Sequence, residues 1–167
     1  MQDPRSVTRL RQGDIGTLKR LFKSNHNGLY PFVYRLARNG DAADEIIRSA
    51  FKKLWADRKE LEKLEVLFLR LLGYAHTFAM EYRTANNVTG IESSPRTSRG
   101  EEVASLLSRL PEEEHLVYLL HIVDGYSIRE LSEAFHSTED HMREVVGSAL
   151  VALDKEFETE PESPVEG

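Results

Sequence analysis

Three features of this 167-residue sequence point to an all-α protein, built as two small helical domains joined by a flexible linker. Apolar residues recur at three- and four-residue intervals nearly throughout, and no stretch shows the period-two alternation of a half-buried strand. The segment 84–100 breaks this periodicity with Asn86-Asn87, Thr89-Gly90, Ser93-Ser94-Pro95 and Thr97-Ser98, which are turn and linker chemistry. The charge changes sign across it. Residues 1–83 hold 16 Lys and Arg against 10 Asp and Glu (+6), residues 84–100 carry +1, and residues 101–167 hold 4 against 17 (−13), within a total of −6.

The elements are taken in chain order. A first helix is expected over 7–22, then a turn in Ser24-Asn25-His26-Asn27-Gly28, then a helix over 29–37 with Pro31 in its first turn, where its missing N–H costs nothing. Asn39-Gly40-Asp41 is the next break, with Asp41 as N-cap of a helix over 41–55. Ile47, Phe51 and Trp55 form its apolar face, and Asp44, Arg48 and Lys52 lie on another that is free for solvent or a partner. A longer helix over 62–83 carries Leu71, Tyr74, Phe78 and Tyr82 on its inner side and completes a four-helix domain, 1–83.

The second domain covers 101–157. A helix is expected over 101–109, and Pro111 with Glu112-Glu113-Glu114 opens another that runs to Asp124, its acids lying on the positive end of the helix dipole. Gly125-Tyr126-Ser127 is a tight break, and Ser127 with Glu130 has capping-box spacing for a short helix to Phe135. A turn at His136-Ser137 leads into a last helix over 138–157, and 158–167 reads as a disordered acidic tail.

Composition excludes several classes of chemistry. With no cysteine there is no disulfide, thiolate metal site or thiol nucleophile. The six histidines show no HExxH spacing, and no Gly-rich phosphate loop or Ser-His-Asp order stands out, so neither catalysis, metal nor cofactor is expected. No apolar run approaches a membrane span, and the opening Met1-Gln2-Asp3-Pro4-Arg5 has no signal-peptide core, which leaves the cytoplasm as the expected location. A half at +6 gains counterion-release free energy on a phosphate backbone, and a half at −13 is repelled by one, so the halves are expected to have different partners unless the acidic side serves solubility alone.

Short helix, tight turn, second helix is the helix-turn-helix plan. Together with Leu110-Pro111, Leu119-Leu120, Gly125-Tyr126-Ser127 and Glu130-Leu131-Ser132, it resembles the promoter-binding region 4 domain of bacterial extracytoplasmic-function (ECF) sigma factors of the sigma-70 family. Gly13-Asp14, Ala43-Asp44-Glu45-Ile46-Ile47, Phe51-Lys52-Lys53-Leu54-Trp55, Tyr74-Ala75-His76 and Glu81-Tyr82 are similar to the region 2 domain of the same family. The resemblance spans roughly residues 8–157.

The resemblance implies a subunit that is not an enzyme, that binds the beta and beta-prime subunits of core RNA polymerase, and that directs the polymerase to promoter DNA. The polymerase-binding face would be Asp44, Glu45, Arg48, Ser49 and Lys52, with Arg48 standing where the family has glutamine. Capture of the melted minus-ten strand maps to 57–63 and the next helix. Arg58, Lys59, Lys63, Arg70 and Arg83 would supply cations, and His76 an exposed ring. Tyr74, Phe78 and Tyr82 fit either core packing or base contact, and Thr77 replaces a frequent family asparagine.

The last helix departs from the family. Its usual basic positions hold Arg143, Val145, Ser148 and Leu150, with Glu139, Asp140 and Glu144 nearby, which leaves Ser137, Thr138 and Arg143 as a weak minus-thirty-five set. The apolar run Val145-Val146 and Ala149-Leu150-Val151-Ala152-Leu153 suits a thicker core face or a protein partner. Three readings are compatible with this pattern: a divergent sigma factor that relies on a recruiting protein such as an RNA-guided effector, a mimic that occupies an anti-sigma factor without initiating transcription, or an ordinary sigma factor. The opposite charges of the two halves also give the expectation that they attract each other when free.

Overall fold

Seven α-helices and no strand are present among the described residues, which are 3–92 and 108–159 of a computed structural model. The helices are α1 (Arg5–Arg11), α2 (Ile15–Ala37), α3 (Gly40–Ala56), α4 (Leu67–Asn86), α5 (Glu112–Tyr118), α6 (Ile128–Ala134) and α7 (Glu139–Thr159). The expected helix over 101–109 falls mostly outside the described residues, as does the acidic tail beyond 159.

The first two expected helices are divided elsewhere. The chain breaks at Gly13, whose φ of +87° suits glycine, and Asp14 then caps α2, accepting from Gly16 N at 3.0 Å and Thr17 Oγ1 at 3.0 Å. These bonds hold the Asp14 carboxyl below its ordinary pKa, the Thr17 hydroxyl contributing most. The turn expected at 24–28 is absent, because α2 continues through it. Asn25 is buried and its amide donates to Leu21 O at 2.8 Å, within the helix. Gly28 lies under Phe68 of α4, where an added Cβ would be 3.3 Å from the ring. Pro31 therefore sits inside α2 rather than in a first turn. Burial of Leu21, Leu29, Phe32, Val33 and Leu36 carries the helix past it.

Asn39, not Asp41, caps α3, its side chain accepting from Ala42 N at 2.9 Å. Between α3 and α4 the chain makes two single 3₁₀ turns, Arg58–Glu60 and Leu64–Val66, so the fourth helix starts five residues later than its periodicity predicts. α2, α3 and α4 pack around Phe32, Leu36, Ile47, Leu54, Leu71 and Leu72, all essentially inaccessible.

The segment expected as linker is ordered over its first half. α4 extends to Asn86, Asn87 turns the chain in the left-handed region, and Ile91 is buried. Glu92 N donates to Arg35 O at 3.0 Å, and Arg38 donates to Thr89 O at 2.9 Å, so residues 87–92 are strapped across the end of α2. Gly90 turns the chain there with φ +74°, in the left-handed region that favours glycine. Residues 93–107 are outside the described residues.

In the second half Pro111 precedes α5, and the helix widens into a π turn, Leu119–Val123, closed by Asp124 N donating to Leu119 O at 2.9 Å. The capping box forms as the spacing predicts: Glu130 N donates to Ser127 Oγ and Ser127 N to Glu130 Oε1, both at 3.0 Å. His136 (φ +52°) makes the turn, and Thr138 Oγ1 accepts from His141 N at the start of α7. α6 lies against α4, and Tyr126 donates its hydroxyl proton to Gly28 O, so one apolar core runs through both halves.

Candidate functional site

Two surfaces of the first half carry the residues singled out for binding. On α3, Glu45, Arg48 and Lys52 are exposed and Ser49 is half-buried, in keeping with positions on one helix face. Glu45 and Arg48 pair loosely at 3.5 Å with both side chains largely in water, which contributes little to stability. Asp44 is anchored, its Oδ1 lying 3.0 Å from His26 Nε2, and His26 in turn packs between Phe22 and Tyr30. The α3 face is therefore presented at a fixed angle by α2.

The second surface adjoins the end of α3. Trp55 carries the Arg58 guanidinium stacked 4.4 Å from its ring, and Arg58 Nη1 donates to Trp55 O at 2.9 Å. Arg58 Nε is buried without a hydrogen-bond partner among the described residues. Lys59 and Lys63 are exposed beside it. Arg70 approaches Glu60 at 3.9 Å and, with Lys63, lines a cleft of about 480 Å³ that also takes in Glu62, Arg129 and Glu133. A neighbouring cleft of about 610 Å³ is lined by Lys53, Tyr74, Phe78, Glu81 and His136. Tyr74 donates to Asp57 Oδ2 at 3.0 Å. Hydrogen bonds from Lys53 and then Tyr74 hold the Asp57 carboxyl low, and burial raises the Tyr74 phenol. Tyr74, Phe78 and Tyr82 are thus half-buried at the rim of the core, Leu71 alone of that set being inside it.

Two members of the expected strand-binding set lie elsewhere. His76 is not an exposed ring. It packs 4.8 Å from Phe135 and 6.3 Å from both Phe32 and His136, and its pKa is lowered to about 4, chiefly by burial and secondarily by His136. Arg83 is also inside, donating to Leu36 O at 2.7 Å, Gly90 O at 2.8 Å and Glu112 Oε1 at 2.6 Å. The causes differ: rings of the second half, Phe135 and His136, cover His76, whereas carbonyls of the first half and of the strap, Leu36 O and Gly90 O, draw Arg83 inward, with Glu112 added from the second half.

Sequence reading missed the residues that join the halves. Arg35 Nε and Nη2 donate to the two carboxylate oxygens of Asp124 at 2.6 and 2.9 Å, and Nη1 donates to Glu92 O at 2.7 Å. The side chains are 9% and 11% exposed, so this is a buried, bidentate pair. A weak signal was present, since Arg35 lies three residues from Phe32, at the edge of the apolar stripe of α2.

On α7, Arg143 is exposed but engaged by its own helix, 2.9 Å from Asp140 and 3.1 Å from Glu139. Thr138 is spent as a cap, and Ser137 N donates to Ser132 O. The apolar run divides. Val145, Val146, Ala149 and Leu153 are buried, while Leu150 and Val151 remain exposed. No helix of the described residues is long and apolar enough to cross a membrane.

No protein-family model matches the chain. No curated protein matches it either. Among solved structures it is similar to CnrH, seen in complex with the cytosolic domain of CnrY: at 15% identity the match covers 93% of this chain and 97% of that one, with a TM-score of 0.62. Almost from end to end, the chain has the fold of CnrH.

Proposed function

We propose that this chain is a transcription initiation factor of the ECF sigma type, cytoplasmic, which docks on the beta and beta-prime subunits of core RNA polymerase through Asp44, Glu45, Arg48, Ser49 and Lys52. The observation that carries the reading is the end-to-end fold shared with CnrH, which is an ECF sigma factor. The exposed Lys59 and Lys63, with the half-buried Arg58 and Arg70 beside them, suit the phosphates of a melted minus-ten strand. Minus-thirty-five recognition is weak, because Arg143, the one cation on α7 at a basic position of the family, is paired with two carboxylates of the same helix. Promoter location then falls to a second protein, which Leu150 and Val151 suit as exposed apolar contacts.

A second reading, a mimic that binds an anti-sigma factor and does not initiate transcription, is favoured by one observation: CnrH is held by a protein partner, CnrY. Co-purification with core polymerase separates the two. The sigma reading expects wild type to bind and the exposed double variant Glu45→Lys/Lys52→Glu to bind at least about tenfold more weakly, from the loss of close charge pairs at an interface. Wild type that fails to bind core polymerase, or binds without supporting promoter-dependent transcription, leaves the mimic.

A further inference from the structure

We propose that α1 and the first turns of α2 form a second nucleic-acid site, a phosphate-binding surface for duplex DNA made by Arg5, Arg9, Arg11, Lys19 and Lys23. The site goes beyond the sigma reading and does not rest on it, because it concerns the affinity of the chain alone for a double helix.

Charge is spread unevenly over the outside of this protein. The chain as a whole carries −6, yet residues 1–23 hold six Lys and Arg against Asp3 and Asp14 alone. Both of these carboxylates are taken up by backbone N–H groups at helix starts: Asp3 accepts from Arg5 N at 2.9 Å, and Asp14 caps α2. Arg20 is held by its own helix, donating to Thr17 Oγ1 at 2.9 Å. The other five cations are exposed and make no ion pair among the described residues. Other surface cations are matched by neighbours: Arg48 by Glu45, Lys53 by Asp57, Arg70 by Glu60, and Arg143 by Glu139 and Asp140. Uncompensated cations displace the counterions condensed on a phosphate backbone, and the release of those ions is the driving force of sequence-independent DNA binding.

Helical spacing turns these side chains outward. Arg5 and Arg9 lie one turn apart on the side of α1 away from the buried Val7 and Leu10. Lys19 and Lys23 repeat the arrangement on the side of α2 away from the buried Thr17 and Leu21. Arg11 stands in the last turn of α1. Because α1 packs against both α2 and the single turn Arg58–Glu60, the surface adjoins the exposed Lys59.

The surface offers charge without stacking, which selects a duplex. The one aromatic ring in residues 3–23, Phe22, is half-buried against Phe51 with centroids 5.1 Å apart. An unstacked strand is held by rings under its bases, whereas a duplex keeps its bases stacked and presents phosphates to cations and to polar donors, here the exposed Thr8 and Gln12. Ile15 is the one exposed large apolar residue of this stretch, too little for insertion into a lipid surface.

The test reads anisotropy of a short fluorescein-labelled DNA duplex, and of one of its strands, across a salt series with the full chain and no polymerase. Five phosphate contacts give the wild type a log–log slope of about −4.5 on the duplex. Arg5→Ala/Arg9→Ala and Lys19→Ala/Lys23→Ala, on separate helices, should each flatten it by about 1.8 and weaken binding about tenfold at low salt. Arg5→Lys/Arg9→Lys keeps the charge and should keep the slope, which separates lost charge from damage to α1. Lys155→Ala, near the end of α7, should change nothing. Binding of the single strand, carried by Lys59 and Lys63, should be little affected by either alanine pair. A wild type that does not bind the duplex, or alanine pairs that bind it with an unchanged slope, overturns the site. Equal losses on duplex and strand, or a wild type that sediments with phosphatidylglycerol vesicles and ignores the duplex, overturns its assignment to duplex DNA. Polymerase co-purification reports separately on the sigma reading, since none of these variants alters α3.

Discussion

Acid should weaken this fold by a calculable amount at one imidazole. His76 is held neutral among Phe32, Phe135 and His136, with a folded pKa of about 4 against 6.5 in an open chain. Because the folded value is depressed, the native state binds fewer protons than the unfolded chain between those values. Its contribution is complete above about pH 6.5 and is lost as the pH falls towards 4. Between pH 7 and pH 5 the linkage relation gives a loss of about 2 kcal/mol from this residue alone. His76→Phe keeps an aromatic ring 4.8 Å from Phe135 and removes the titration. Urea unfolding of both proteins at pH 7 and pH 5 isolates the effect as a difference. His115, lowered by burial and then by Arg35, and the low carboxyls of Asp14 and Asp57 add acid sensitivity to both proteins alike. The wild type should lose about 2 kcal/mol more than His76→Phe over this interval. Equal losses would refute the claim that this half-buried ring is held neutral.

Two further outcomes are expected. Asp14→Ala removes the cap of α2 and should cost about 1 kcal/mol in urea unfolding at neutral pH, with Asp14→Asn recovering most of it. In salt titrations of single-stranded DNA binding, Lys59→Ala and Lys63→Ala should each flatten the log–log slope by about 0.7, whereas Arg143→Ala, already paired with Glu139 and Asp140, should leave it unchanged.

Local chemistry was legible where the local chain decides the outcome. The capping box at Ser127 and Glu130, Pro111 ahead of α5 and the break before α3 all arise from spacing and residue type. The turn read at 24–28 failed because tertiary packing reassigned its residues: Asn25 turned inward onto its own helix, and Gly28 became the point where Phe68 and Tyr126 approach the backbone. The linker was half legible, since its polar composition hid Ile91 as an anchor and Arg83 and Arg35 as the groups that bind its carbonyls. The α3 face stood out because a helix shows its exposed stripe in its sequence. The burial of His76 and Arg83 did not, because Phe135 reaches His76 from beyond the linker and Arg83 is bonded by Leu36 O, 47 residues away, as well as by Gly90 O and Glu112. Opposite net charge hinted that the halves would meet, and the meeting is made by a shared apolar core, the Tyr126 hydroxyl on Gly28 O and two arginine–carboxylate pairs.

The π turn Leu119–Val123 has a consequence for how this chain tolerates insertion and deletion. A π turn accommodates one residue more than the α-helix it interrupts, and each helical residue rotates the chain beyond it by about 100°. Asp124 and Tyr126 come directly after the turn, and both aim at the first half, at Arg35 and Gly28. Deleting one residue from the turn would let α5 continue as a regular helix with its capping and core intact, yet swing Asp124 about a quarter-turn off its arginine. The extra residue thus works as a phase-setting device, so the join between the halves is sensitive to chain length here even at positions such as Ile122 and Val123, whose side chains point into solvent.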